Sequence, residues 1–225
     1  MGNFRGLTQG GLNFLQQLSH NNNKEWFSEN REVYDRQIIA PLRDLVDDLA
    51  ADMLAIDDQF EVRPSVTKTI SRIHRDTRFS LDKSPYRSNV WIVFKRPRKV
   101  WTDSPVFFFE FASDNWRFGM GYYSASRETM NRLREHIADN PRSFLQMAGK
   151  IRKHFDLEGE SYKRPLVKNQ APELAEWANR KTFALIDQRY DMAPLFSDQL
   201  SGLLRDGFQR LEPLYQLLVQ LENQR

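Results

Sequence analysis

The stretch that decides the fold is Val90–Tyr123, VWIVFKRPRKVWTDSPVFFFEFASDNWRFGMGYY. It contains three apolar runs of strand length, at Val90–Phe94, Val106–Phe111 and Trp116–Tyr123. The links between these runs are too short to hold crossover helices, so consecutive strands have to pair antiparallel. Asp114-Asn115 favours a hairpin turn between the last two. The stretch therefore predicts the middle of an antiparallel sheet.

The flanking sequence adds two strands and many helices. Val66–Ile73 is rich in β-branched residues, which predicts a strand before this stretch, and Thr182–Ile186 predicts one after it. Apolar residues at helical spacing dominate both ends of the chain, for example between Leu42 and Met53 and between Leu200 and Leu221. We predict an α+β fold, with a central, largely antiparallel sheet and helices from the N- and C-terminal parts of the chain.

Polar residues and prolines predict where several helices begin or change. Thr8 and Ser126 are suited to cap helices that follow them, and Asn21-Asn22-Asn23 can end one helix and cap the next. Pro41 should kink or restart a helix, and Pro213 should interrupt the last one. No Gly/Ser-rich linker or repeat is visible, so we predict one domain over residues 1–225.

Gly119 and Gly121 lie two residues apart, and therefore on one face of the same predicted strand. Bare backbone at such positions lets a ligand or another element come close. Packing of a helix is the commoner cause, so we expect a helix rather than a ligand to approach these glycines.

The bulk composition predicts a cytoplasmic protein. The chain has 225 residues, 40% of them hydrophobic, and no cysteine, so it forms no disulfide. The N-terminal residues show no apolar signal segment, and the longest apolar run is far too short to cross a membrane. We expect no membrane partner.

Charge is concentrated in Ser71–Arg87, SRIHRDTRFSLDKSPYR. The cations of this segment are Arg72, Arg75, Arg78, Lys83 and Arg87, and its carboxylates are Asp76 and Asp82. The cations of the segment exceed its carboxylates by three, and this excess equals the net charge of the whole chain, +3. Arginine suits bidentate recognition of phosphate or carboxylate, so the segment is a candidate anion-binding site. Asp76, Asp82 and Tyr86 would orient the cations or hold the loop.

Other interpretations of the same segment stay open. The charges can form a structural ion-pair network that ties a long loop to the sheet. Ser80 and Ser84 carry hydroxyls that suit phosphate binding, and with His74 they could form a nucleophile pair, although no nucleophile elbow is present. The sequence therefore identifies a candidate site without assigning a catalytic residue.

Several of these residues also carry a family resemblance. Asn21-Asn22 and Lys24-Glu25-Trp26-Phe27, followed by the arginine-rich segment, resemble the bacterial conserved hypothetical proteins of the domain of unknown function DUF2461. The likeness extends to Gly119-x-Gly121-x-Tyr123, Lys163-Arg164-Pro165 and Lys181 and covers nearly the whole chain.

The resemblance implies a single domain without an established activity. It also implies that Lys163 and Lys181 help to close the anion site. The chain departs from the family pattern at two positions: the family has Lys where this chain has Arg87, and a polar residue is common where this chain has Leu81.

Two classes of function remain after these observations. The first is binding of a small phosphate- or carboxylate-bearing ligand, with or without catalysis. The second is a non-catalytic module that docks an acidic protein segment; nucleic acid is a less favoured partner, with Trp91, Trp101 and Trp116 as possible stacking residues. No metal is expected because the four histidines are scattered, and no cofactor because the chain has neither a P-loop nor a GxGxxG motif after a strand. The oligomeric state stays open.

Overall fold

The computed structural model describes residues 3–78, 81–97, 101–167 and 170–223. The α-helices are α1 (Gln9–His20), α2 (Lys24–Glu29), α3 (Arg31–Tyr34), α4 (Ala40–Ile56), α5 (Arg127–Asp139), α6 (Pro141–Ile151), α7 (Pro172–Ala178) and α8 (Gln199–Asn223). The strands are β1 (Val90–Phe94), β2 (Val106–Phe111), β3 (Trp116–Gly121), β4 (Asp156–Glu158) and β5 (Ala184–Arg189). Short 3₁₀ turns occur at Trp101–Asp103 and Ala193–Phe196. No helix in these ranges has the length and apolar content needed to cross a membrane.

The predicted helix starts are confirmed. The hydroxyl of Thr8 accepts a hydrogen bond from the amide of Gly11 at 2.9 Å, and the side chain of Asn23 accepts one from Trp26 at 2.9 Å. The hydroxyl of Ser126 accepts one from Thr129 at 3.1 Å. Each of these bonds satisfies an amide that has no partner within its own helix.

A new helix starts near Pro41, as expected. The π-helical segment that precedes it was not predicted from the sequence. A π-helical segment, Asp35–Ile39, joins α3 to α4, and the amide of Ala40 donates to the carbonyl of Asp35. Pro41 has no N–H, so it cannot donate to the carbonyl of Gln37. The hydroxyl of Thr8 supplies that missing hydrogen bond at 3.2 Å. One side chain therefore caps α1 and compensates for the proline.

The prediction that Pro213 interrupts the last helix was wrong. The helix α8 runs without a break from Gln199 to Asn223 and contains Pro213.

The five strands form one antiparallel sheet in the order β1-β2-β3-β5-β4. The predicted α+β fold is confirmed, and β1, β2 and β3 occupy the predicted stretch. The predicted strand Thr182–Ile186 is shifted to Ala184–Arg189. Its partner β4, which pairs Leu157 with Leu185, was not predicted because three residues are too short for a periodic signal.

The prediction of a strand over Val66–Ile73 was wrong for most of its length. Thr67 has a φ of 76°, a left-handed conformation that β-branched residues rarely adopt. The carbonyl of Ser65 accepts from the amides of Lys68 and Ile70, which closes a turn. Only residues 69–71 pair with β1, where Ile70 and Ile92 form an antiparallel bridge. The segment thus covers the free edge of the sheet without becoming a strand.

The chain divides into two compact units. Unit 1 comprises Met1–Phe94, Phe108–Phe118 and Gln188–Asp206, and unit 2 comprises Lys95–Phe107, Gly119–Asp187 and Gly207–Arg225. The core of unit 1 includes the fully buried Leu15, Leu42 and Trp116. In unit 2, Trp177 makes edge-to-face contacts with Phe144 and Phe183, with ring centroids 5.3 Å apart in both cases. A single domain stays a prediction.

The two glycines of β3 are explained by a strand, not by the helix that we expected. A Cβ added to Gly119 would overlap the carbonyl oxygen of Leu185, and one added to Gly121 would overlap the backbone of Phe183 and Ala184. The close approach of β5 therefore requires glycine at both positions. By contrast, a Cβ at Gly149, within α6, would meet nothing within 4 Å.

We predict opposite effects for the same substitution at these two kinds of site. Gly119→Ala should lower the free energy of unfolding by about 3 kcal/mol, because β5 would have to move. Gly149→Ala should raise it by up to about 1 kcal/mol, because alanine favours the helix and meets no obstacle. Urea denaturation of both variants measures the two effects. A Gly119→Ala protein as stable as the wild type would contradict the contact between β3 and β5.

Candidate functional site

The charged segment forms a loop on a short two-stranded stem. The amide of Arg75 donates to the carbonyl of Pro85, and the amide of Arg87 donates to the carbonyl of Ile73, both at 2.8 Å. These bonds flank an antiparallel bridge between His74 and Tyr86. We call residues 71–87 the arginine loop, residues 73–75 and 85–87 its stem, and residues 76–84 its tip. The stem determines the positions at which the chain enters and leaves the tip.

Asn22 ties the stem to the N-terminal helices. Its side-chain NH₂ donates to the carbonyl of Tyr86 at 3.0 Å, and its side-chain oxygen accepts from the amide of Tyr86 at 2.9 Å. The amide group thus satisfies both backbone groups of one residue, as a neighbouring strand would. Asn22 follows α1 directly, so the position of this helix determines the position of the stem.

Aromatic side chains support one face of the stem. Tyr86 is buried and stacks on Phe27, with ring centroids 4.3 Å apart. The rings of His74 and Tyr86 lie 5.1 Å apart, and Phe27 also contacts Phe14 and Tyr34. Burial raises the pKa of Tyr34 above its ordinary value, so this phenol stays neutral. The face of the stem that carries Tyr86 is therefore a packed structural face.

The charges of the tip are paired locally. Arg78 donates from Nε and Nη2 to the two carboxylate oxygens of Asp76, at 3.0 and 2.7 Å. Lys83 donates to the carbonyl of Thr77 at 2.9 Å. These groups are exposed, so solvent screening leaves their pairing little effect on stability. They shape the tip more than they stabilise the fold.

The second carboxylate of the loop, Asp82, connects the tip to the stem. It forms an ion pair with Nη1 of Arg75, and it accepts hydrogen bonds from the amide and the hydroxyl of Ser84 at 2.9 and 2.6 Å. Because the hydroxyl of Ser84 donates to this carboxylate, it is not oriented by His74 as a nucleophile would be. Ser80, the other candidate nucleophile, lies outside the described residues.

The carboxylates of the tip are acidic. Hydrogen bonds from the side chain and then the amide of Arg78 lower the pKa of Asp76 to about 2. Hydrogen bonds from Ser84, followed by the charge of Arg75, lower the pKa of Asp82. Both carboxylates therefore stay charged at neutral pH and hold their arginines in place.

Two arginines of the stem keep unused donors. The Nε atoms of Arg75 and Arg87 are buried, and no hydrogen-bond acceptor for either is found among the described residues. The guanidinium of Arg87 lies over the ring of Trp91, with its Cζ 4.9 Å from the ring centroid. Arg75 and Arg87 both flank the bridge of His74 with Tyr86, so they project from the opposite face of the stem.

Three further residues were predicted as cations of the site: Arg72, Lys163 and Lys181. Arg72 is exposed, and its charge also lowers the pKa of Asp76. Lys163 and Lys181 belong to unit 2, where Lys163 is exposed and Lys181 forms an ion pair with Glu160. That all the predicted cations close one site stays a prediction. No group of three His, Asp or Glu side chains suited to a metal ion occurs in the part of the chain that the structure describes.

The family of conserved hypothetical proteins that contain DUF2461 matches residues 11–217. The chain belongs to this family. Its matched region includes Asn22, the arginine loop and both glycines of β3. No curated protein matches the chain. Membership in DUF2461 therefore confirms the resemblance seen in the sequence and brings no established activity with it.

Sequence reasoning did not identify two residues that hold the arginine loop in place. Asn22 was interpreted only as part of a helix break, because its partner Tyr86 is 64 residues away. The sequence suggested Trp91 only as a possible stacking residue for nucleic acid, whereas its ring contacts the guanidinium of Arg87. Because Val90–Phe94 is apolar throughout, no alternation in its sequence indicates that Trp91 is half-buried between the buried Val90 and Ile92.

We predict that Asn22→Ala destabilises the protein by about 2 kcal/mol, because it removes two partly buried hydrogen bonds. Asn21→Ala is the matched control, since the side chain of Asn21 makes one exposed hydrogen bond to the carbonyl of Gln17. That variant should lose about 1 kcal/mol or less. Urea denaturation measures both, and equal losses would show that Asn22 does not hold the stem.

A second prediction concerns the acidity of the tip. The carboxyl carbon of Asp76, followed by NMR, should titrate with a pKa of about 2, below its ordinary value of 3.8. A lowered pKa in the folded protein stabilises the loop above pH 3.8, and this contribution is lost as the pH falls through about 2. Arg78→Gln should raise the pKa towards 3.8, because it removes the side-chain hydrogen bonds and the charge but keeps the amide donor, and Arg72→Gln should change it less. An unchanged pKa in Arg78→Gln would disprove the pairing.

Proposed function

We propose that the arginine loop binds a small anion, a phosphate or a carboxylate, and that Arg75 and Arg87 make the main contacts. The observation that supports this most is the pair of buried Nε atoms on one face of the stem, for which the described residues provide no acceptor. A buried N–H without a partner is costly, and an anionic oxygen is the acceptor that would satisfy it best.

Asp82 engages one edge of the Arg75 guanidinium, and the Nε atom on the other edge is buried. Asp82 takes Nη1, and the opposite edge presents Nε and Nη2 side by side. Arg78 uses this same edge to hold both oxygens of Asp76. A carboxylate or phosphate could occupy the edge of Arg75 in the same bidentate geometry.

Arg87 is held by a ring and not by a carboxylate. Contact with the face of Trp91 fixes the plane of the guanidinium without neutralising its charge. In the antiparallel stem, Arg87 lies opposite Ile73, and Arg75 is two residues beyond Ile73. Such diagonal neighbours are close enough for one anion to bridge them.

The other residues have supporting roles in this proposal. Asp82 braces Arg75, Asp76 holds Arg78, and Tyr86 anchors the stem through Asn22 and Phe27. Arg72, Arg78, Lys83, Lys163 and Lys181 would add positive potential, which attracts an anion at longer range. The proposal is one of binding and assigns no catalytic step.

One observation favours a second candidate function, the docking of an acidic protein segment. Leu81 is fully exposed at the tip, next to Asp82 and Lys83. An exposed leucine beside cations suits a partner that combines acidic and apolar side chains. A small anion would not need Leu81, so Leu81→Ser separates the two functions.

We predict that phosphate raises the melting temperature of the wild type. The gain in stability should reach about 2.7 kcal/mol at a hundredfold excess over the dissociation constant. Arg87→Gln should fold normally and lose the gain, because it removes the charge and the Nε donor. Arg63→Gln is the matched control, since Arg63 is an exposed arginine whose fork is already used by Glu61.

Further variants decide between the interpretations. Arg87→Lys should bind phosphate more weakly than the wild type but better than Arg87→Gln, because it keeps the charge and loses the fork. Leu81→Ser should leave phosphate binding unchanged. If neither phosphate nor a dicarboxylate stabilises the wild type, or if Arg87→Gln keeps the full gain, the loop is a structural network and the proposal fails.

A further inference from the structure

Unit 2 contains a groove that none of the observations above explains. It has a volume of about 510 Å³ and lies between α6 and α8. Its lining consists of Ser143, Gln146, Met147, Lys150, Ile151, His154, Gln209, Arg210 and Pro213. This volume is in the range of about 300–1,000 Å³ that is typical of small-molecule sites.

We propose that this groove binds a small amphiphilic anion, a carboxylate or phosphate head group carried by an apolar chain or ring. The lining contains Lys150, Arg210 and His154, but no acidic residue. The end of α6 accounts for Lys150, because cations are favoured near the C-terminus of a helix. It does not account for Arg210, which lies in the middle of α8.

Arg210 contacts a histidine in the groove. Nη1 of Arg210 lies 3.3 Å from Nε2 of His154. Arginine can only donate a hydrogen bond, so this contact gives its charge no anionic partner. An anion that binds between Lys150 and Arg210 would supply the missing negative charge.

The rest of the lining predicts an apolar tail. Met147 is half-buried, Ile151 is buried, and Pro213 presents its ring to the groove. These three side chains form an apolar part of a lining that is otherwise polar or charged, which suits a ligand with both an apolar and an anionic part.

This inference is independent of the proposed function of the arginine loop. It depends on residues of unit 2 alone, and either site could exist without the other. The two can therefore be tested in one set of variants.

The test uses octanoate as the probe and the full chain. Titration followed by the NMR signal of the Met147 methyl group should show saturable binding, with octanoate at least tenfold tighter than acetate or octanol. Lys150→Gln and Arg210→Gln should each weaken octanoate binding about tenfold. Lys153→Gln, a change at an exposed lysine outside the lining, should have no effect, and neither should Arg87→Gln.

Several results would overturn the inference. They are the absence of a shift at millimolar octanoate, equal binding of acetate and octanoate, and loss of binding in Arg87→Gln but not in Arg210→Gln. A shift caused by a nucleic acid or another polyanion, but not by octanoate, would also overturn it. If a variant fails to fold, magnetisation transfer from octanoate protons to the Met147 methyl group in the wild type decides the question: its presence supports the groove, and its absence excludes it.

Discussion

The arginine loop depends on two hydrogen bonds between one side chain and one backbone residue. Asn22 satisfies the amide and the carbonyl of Tyr86, 64 residues away in sequence. This contact positions the Tyr86 ring on Phe27 and brings the two halves of the stem together. Without it, the stem would be an isolated two-stranded ribbon, which is marginally stable at best. The orientation of Arg75 and Arg87 follows from the stem.

The same arrangement separates the charges of the loop into two groups. In the tip, Asp76 forms an ion pair with Arg78, and Asp82 forms one with Arg75. Both carboxylates of the loop are therefore paired within it. The cations that exceed them include Arg87, which contacts an aromatic ring. A segment with a charge of +3 is thus ordered locally although its cations outnumber its carboxylates. The excess charge that the sequence shows is therefore not spread evenly over the loop.

The sequence predicts those parts of the fold that local spacing controls. Short links between β1, β2 and β3 leave antiparallel pairing as the only solution, and Thr8, Asn23 and Ser126 cap helices as their residue types suggest. It fails where local and tertiary requirements conflict. The β-branched residues near Val66 favour a strand, but Thr67 adopts a left-handed turn. The carbonyl left free by Pro41 is satisfied by Thr8, a contact that no periodicity reveals.

The candidate site was predicted in part. Charge counting located the arginine loop and identified its cations, because an excess of one charge is visible without coordinates. It could not show which arginines are already paired, because this depends on side-chain geometry within the loop. The structure shows that Arg78 is paired with Asp76, whereas Arg87 contacts the ring of Trp91.

The most direct test of this distinction is to observe the Nε–H groups of the arginines by ¹H–¹⁵N NMR during a titration with phosphate. The Nε–H signals of Arg75 and Arg87 should move together and saturate at one phosphate concentration. The signal of Arg78, whose Nε already donates to Asp76, should stay nearly constant. If the signals of Arg75 and Arg87 do not move, or if all the arginines shift alike without saturation, the stem does not present a specific anion site.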